Sequence, residues 1–314
     1  MGRRRLLAWR TPKPSRDPVG RARRRPGRAR AALLALLLAG CASTSAYDPD
    51  WALADGTGGE SSEWTKEQKL LALNAATTAI IAAYGLQFWD YGGQGWKWEN
   101  EGWFGKNTQY GGADKVGHAY TAYLATLGYA YLYERWGYDR DRADLYGALS
   151  SMAAFTLIEV GDALSKNGFS PEDIVADAAG VVFGYLRRRS PTFKRLIDFR
   201  VEYWPSETVT KGGRNDLATD YSGYKYLLAL KLEGIKPLRS TPLQYLELHF
   251  GYYTRGYVNG DEAFFDEATR HAYVGFGINI AHVLRRLGLR KGPGFFEYYQ
   301  PPKTYISKDW NFDD

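Results

Sequence analysis

Residues 113–136, ADKVGHAYTAYLATLGYAYLYERW, decide the fold. At about 100° per residue, Asp114, His118, Thr121, Ala125 and Gly128 fall within one narrow arc of a helix. Asp114 and His118 stand one turn apart, close enough to meet or share a ligand. Three more helical stretches surround this one. Thr65, followed by Glu67 and Gln68, opens a helix running to about Phe88. Residues 141–165 and 171–187 form the others, punctuated by Gly137 and by Asn167-Gly168.

After Trp204 the period changes to two. Tyr224, Tyr226, Leu228, Leu230 and Leu232 alternate with Lys225 and Lys231, and residues 243–255 and 271–281 continue in that style around Asn259-Gly260-Asp261. The expected class is α+β: an N-terminal helical bundle of about four helices over 65–190, then a small, mainly antiparallel β region over 191–314. Three or four strands are expected, well short of the eight that close an outer-membrane barrel. Residues 69–89 and 143–164 are apolar enough to raise a transmembrane reading, but they contain Asn74, Asp144, Glu159 and Asp162. A periplasmic bundle is the expectation.

The N-terminus reads as an export signal. Residues 1–40 contain twelve of the 41 Lys and Arg residues and one of the 35 acids, so residues 41–314 keep 29 basic and 34 acidic groups. The overall surplus of +6 therefore belongs to the leader, and no nucleic-acid partner is expected. Ala31–Leu38 is an apolar core too short to cross a bilayer, which needs about 20 residues. Leu38-Ala39-Gly40-Cys41 fits a bacterial lipobox, with Cys41, the one cysteine, as the lipidation site. The competing reading is an ordinary signal with a chance cysteine. Ala42, where aspartate would retain a lipoprotein at the inner membrane, points to the outer membrane and a periplasm-facing protein. Val19 is an alternative translation start. Residues 41–64, rich in Ser, Gly, Asp and Ala, read as a flexible tether.

The bundle carries a polar constellation. Glu159 ends an apolar stripe of Ala148, Met152 and Phe155, with Asp162 one turn on. Asp173, Asp177, Gly180 and Gly184 share one arc. Each piece has a plain structural explanation. Ser170-Pro171-Glu172-Asp173 is a good helix start, Asp114 suits the positive end of a helix dipole, and a lone histidine is commonly a hydrogen-bonded core residue. Glu159 and Asp177 resist it, because mid-helix acids among apolar neighbours need a partner, a proton or a metal. Lys115 and Lys166 are the candidate partners.

Asp114-Lys115-Val116-Gly117-His118-Ala119-Tyr120 with Tyr123, then Glu159-x-x-Asp162, then Gly168-x-Ser170-x-x-Asp173-x-x-x-Asp177-x-x-Gly180, resembles the bacterial domain of unknown function 2279. The resemblance implies a periplasmic or outer-membrane lipoprotein and no particular activity. A weaker similarity runs to VanZ-like membrane proteins, which share the Asp-Lys-x-x-His helix start. Asp220–Tyr226 and Gly251-Tyr252-Tyr253 extend the resemblance over roughly 110–260. Ile158 departs from relatives that carry lysine before the glutamate, leaving open how Glu159 is neutralised.

Two functions follow as expectations. One is a non-catalytic envelope protein whose buried Asp-His-Glu network fixes helix register. The other is a hydrolase of an envelope lipid or glycan, with His118, Glu159 and Asp177 catalytic, or with a divalent metal on Asp114, His118, Glu159, Asp162 and Asp177. No His-Glu-x-x-His, Gly-x-Ser-x-Gly or P-loop is present. Trp89, Trp96, Trp98 and Trp103 crowd the Gly-rich connection before Asp114. They either contact lipid or glycan or pack over the bundle end.

Overall fold

The computed structural model describes residues 64–213, 217 and 219–314. The signal sequence, Cys41 and all of the tether except residue 64 lie outside them. Four long helices come first: α1 (Lys66–Phe88), α2 (Ala113–Arg135), α3 (Arg140–Ala163) and α4 (Pro171–Arg189). Their starts are capped as the sequence dictates. Thr65 and Gln68 form a reciprocal capping box, Asp139 accepts from the Arg142 N–H, and Ser170 accepts from the Asp173 N–H with Pro171 in the first turn.

Helix α2 is the axis of the bundle, packed along both α3 and α4. Gly180 makes the α2–α4 approach possible: a Cβ there would collide with the Ala119 carbonyl oxygen. That close crossing brings the acids of α4 against His118.

Short helices α5 (Pro191–Leu196), α6 (Glu207–Thr210) and α7 (Ile280–Arg286) accompany five strands. These are β1 (Ile197–Tyr203), β2 (Tyr224–Lys231), β3 (Leu246–Arg255), β4 (Thr269–Ile278) and β5 (Tyr305–Asn311). They form one antiparallel sheet in sequence order, with Phe199 opposite Leu228, Leu228 opposite Phe250, and Phe250 opposite Val274. The α+β class with the helical part first is therefore correct. The expected strand number was too low, because β1 and β5 were not read as strands.

The reason lies in how these two strands are buried. In β1 the residues with side chains alternating toward the sealed side are Asp198, Arg200 and Glu202, all buried. Lys231 of β2 and Glu247 and His249 of β3 are also buried, while Leu228, Phe250, Val274, Phe276 and Ile306 are exposed. Strand β1 is buried on both faces, charged and apolar, and β5 is largely exposed on both, so neither shows the one-sided apolar alternation that marks a strand. The sealed charges are closely paired. Arg200 donates to Glu247 at 2.6 and 2.9 Å, to Asp198 at 2.7 Å and to Gln300 at 2.9 Å. Asp198 also meets Lys231 and Arg187, each at 2.7 Å, and Arg187 reaches Glu297 at 2.7 Å. Arg187 belongs to α4, so this network ties the bundle to the sheet. Alongside it, Tyr120, Tyr123, Leu124 and Leu127 of α2 pack on Phe199, Val201, Tyr224 and Tyr226.

Candidate functional site

At one end of the bundle the start of α2, the end of α3 and the start of α4 converge with the loop that follows α1. The Lys115 ammonium sits among three carboxylates: Asp114 at 2.9 Å, Asp173 at 2.8 Å, and Glu101 in close contact. Lys115 is almost fully buried, and its acidic neighbours hold it charged against the desolvation that opposes its charge. One turn along α2, His118 Nδ1 stands 3.1 Å from Asp177 Oδ1, which leaves Nε2 3.9 Å from Asp173 Oδ1. Glu159 of α3 accepts the Ser170 N–H at 3.2 Å, so the first turn of α4 is pinned to the acid on α3.

Donor atoms of His118, Glu159 and Asp173 all lie within 4.8 Å of one another, as do those of Glu101, Asp114 and Asp173. The two groups share Asp173 but differ in kind. The second surrounds the Lys115 ammonium, which serves as its cation. The first has no such built-in cation other than a protonated His118; the His118 side chain is 26% exposed, while Glu159 and Asp173 are buried behind it.

Proton affinities follow this crowding. Burial, reinforced by the Asp173 charge, raises Glu159 to about 8. Burial with Asp173 raises Glu101 to about 7, against the opposing pull of Lys115. For His118, burial works against the charged ring, but the bond to Asp177 and the Asp173 charge outweigh it and raise it to about 10. Asp173 moves the other way: His118 and Lys115 overcome its burial and hold it below the usual carboxylate range.

Of the residues singled out from sequence, Asp114, His118, Glu159 and Asp177 converge here. Asp162 stands apart, accepting from Asn167 at 2.9 Å, and falls in neither donor group. Lys115 is a partner in the cluster. Lys166 is exposed, and its carbonyl accepts from Lys97 at 3.2 Å. Sequence reasoning placed Asp173 on one arc with Asp177 but, with capping to explain it, not among the ligands, and did not select Glu101 at all. The signal for Asp173 was its one-turn spacing from Asp177. Glu101 had no periodic signal, because it lies in a loop.

That loop is docked along its backbone. The Glu99 and Phe169 N–H groups donate to the Phe169 and Lys97 carbonyls, both at 2.9 Å, which forms a parallel bridge beside the α3–α4 turn. Trp96 and Trp98 pack on Phe169 with ring centroids 5.8 and 4.9 Å apart, yet both stay largely exposed, as do Trp103 and Phe104. Trp89 is partly covered by Tyr84 and Tyr91. Loop packing and solvent-facing indoles thus coexist, with Glu101 between them.

The site therefore defines a class before any relative is considered: an acid-rich polar cluster closing one end of a helical bundle. Residues 100–189, from just before Glu101 to the end of α4, match the model of a family described as a predicted periplasmic lipoprotein, DUF2279. The match ends before the sheet, so the family-like segments noted around Asp220 and Gly251 lie outside it. No curated protein and no solved structure matches the chain.

Proposed function

We propose that the protein is a lipoprotein anchored through acyl chains on Cys41 to the periplasmic face of the outer membrane, and that its bundle binds a divalent cation on His118, Glu159 and Asp173. One observation carries the cation assignment, the charge count of the two buried networks. In the sheet, Arg187, Arg200, Lys231 and His249 accompany Asp198, Glu202, Glu247 and Glu297, four cations for four anions, with the partly exposed Arg285 also on Glu297. In the bundle, Glu101, Asp114, Glu159, Asp173 and Asp177 face only Lys115 and His118, five carboxyl groups for two cations. Fixing a structure requires balance, and the bundle lacks it by three unless protons or a metal ion make up the difference.

The donor set suits zinc or a similar ion, one imidazole nitrogen with carboxylate oxygens. Asp177 plays the supporting part: its bond to Nδ1 sets the tautomer and aims Nε2 at the shared space.

Purified wild-type protein is expected to bind one equivalent of Zn2+ in calorimetry. Glu159→Gln, which keeps size and hydrogen bonding, should fold normally and weaken binding by at least about tenfold. Binding near neutral pH should release about two protons, one from Glu159 and one from His118. The sign follows from the raised values. Both groups keep protons in the folded state above their ordinary ranges, so their contribution to apoprotein stability is lost as pH rises through about 8 and then about 10. Metal affinity should rise over the same interval. Wild-type protein that neither takes up Zn2+ nor releases protons would remove the assignment.

A second reading, hydrolysis of an envelope lipid or glycan at this centre, draws on the partial exposure of His118 and on Trp96, Trp98 and Trp103 flanking Glu101. It requires the metal-loaded protein, and not Glu159→Gln, to cleave material from envelope extracts.

The anchor has its own test. Cys41→Ser should abolish acylation of the N-terminus and leave the melting temperature of the folded part unchanged. A wild-type protein isolated from membranes with no lipid on its N-terminus would refute the lipoprotein assignment.

A further inference from the structure

Helix α1 is unlike the other long helices. From Leu70 to Phe88 it runs nineteen residues without a charged side chain. Among the described residues it alone is long and apolar enough to cross a membrane, yet almost none of it is buried. Its broad outward arc centres on Ala75, Ala79, Ala82 and Leu86 and is edged on opposite sides by Leu71 and Ile80, with Leu71, Ile80 and Leu86 at 67, 54 and 68% exposure. The polar residues on its other side are paired with the bundle: Asn74 donates to Tyr133 at 2.7 Å, and Thr77 accepts from Tyr129 at 2.9 Å. The neighbouring face of α3 continues the pattern, with Leu145 and Leu149 exposed. Water is a poor match for such a face, since single exposed apolar side chains are ordinary but a charge-free stripe about 28 Å long is not.

We propose that the outward face of α1, continued by Leu145 and Leu149 of α3, lies in the acyl layer of the bilayer and holds the protein on the membrane independently of lipidation. Three observations select lipid as the occupant. Only 22 residues separate Cys41 from Trp64, so an acyl anchor keeps the start of α1 within about 75 Å of the bilayer even at full extension. Those 22 residues contain five acids and no Lys or Arg, the wrong chemistry to cover an apolar stripe. The ends of the stripe are dressed for an interface, with Trp64, Lys66 and Lys69 at one end and Phe88 and Trp89 at the other. A helix bonded along one side to the bundle beds its free side to a depth of about 5–10 Å and lies in the plane of the surface.

The experiment uses the mature-length chain carrying Cys41→Ser, which removes acylation and leaves no other thiol. This chain should float with vesicles of phosphatidylethanolamine and phosphatidylglycerol and resist release by high salt. Adding Leu71→Glu, Ile80→Glu and Leu86→Glu should lower the floated fraction about tenfold or more, while circular dichroism stays unchanged because all three side chains are exposed. A polarity-sensitive dye on Ile80→Cys should shift to the blue on adding vesicles, and one on Ile306→Cys, on the exposed face of the sheet, should not. Failure of the Cys41→Ser chain to float overturns the proposal, as does a blue shift confined to position 306. Lipid-free dimers that Ile80→Glu dissociates would also overturn it, by assigning the face to a second copy. None of these outcomes depends on whether wild-type Cys41 is acylated, so the lipoprotein assignment stands or falls separately.

Discussion

Lys115→Met should destabilise the protein by about 3–5 kcal/mol, the usual cost of removing one partner from a buried ionic group. Methionine matches the length of the lysine stem and fills its space, so little of the loss comes from packing. What it removes is the one ammonium that Glu101, Asp114 and Asp173 share within hydrogen-bonding reach. In a chain of this size the loss lowers the melting temperature by about 10 °C. The pH dependence identifies the cause. Without the ammonium that lowers them, Glu101 and Asp173 take up protons more readily in the folded state, so the deficit should shrink at pH 5 and widen at pH 8. A deficit that is the same at both values would mean that Lys115 contributes packing alone.

Arg200→Met should cost about as much, roughly 3–5 kcal/mol, but with a different accompanying result. The guanidinium overrides burial to keep Glu247 ionised and adds to Lys231 and Arg187 in doing so for Asp198, and its fork engages both carboxylates together with Gln300. After the substitution Asp198 keeps Lys231 and Arg187, while Glu247 keeps only His249, at 2.8 Å. Arg200→Lys should recover part of the loss, since it restores the charge without the fork. Zinc binding should be unchanged in whatever fraction folds, because none of the residues that form the bundle cluster touches this network. Loss of binding in folded Arg200→Lys would show that the sheet sets the geometry of the site.

The helices were legible because their caps and their apolar period are local. Thr65, Ser170 and Pro171 mark starts that the structure repeats to within a residue, and the arc holding Asp114 and His118 placed both at one bundle end. Convergence of Glu159 with Asp177 could be anticipated from the cost of isolated mid-helix acids. Asp173 was obscured because a cap explains it well, and it does in fact accompany one: its N–H is held by Ser170 at 3.2 Å. Glu101 could not be found by any period, since a loop positions it. Strands β1 and β5 were missed for a physical reason. Strand β1 buries its charged residues Asp198, Arg200 and Glu202 and its apolar Phe199 and Val201 alike, while β5 leaves Lys308 and Asp309 exposed along with Ile306 and Trp310, so in neither does polarity track inside and outside. The exposed stripe on α1 was legible as apolar sequence; that nothing in the described fold covers it could be seen only in three dimensions.

The order of the strands has a consequence for assembly. Each strand pairs with the next one in the chain, so a polypeptide delivered N-terminus first can add hairpins as they emerge, without waiting for a distant partner. The charge network does not share that convenience. Asp198 and Lys231 arrive with the first two strands and Glu247 with the third, but Glu297, which completes Arg187, follows the fourth. The same late segment supplies Tyr298 and Gln300, whose backbone closes the free edge of β1 at Val201. A nascent molecule stopped short of residue 297 would thus carry an open strand edge at β1 and an Arg187 held by Asp198 alone.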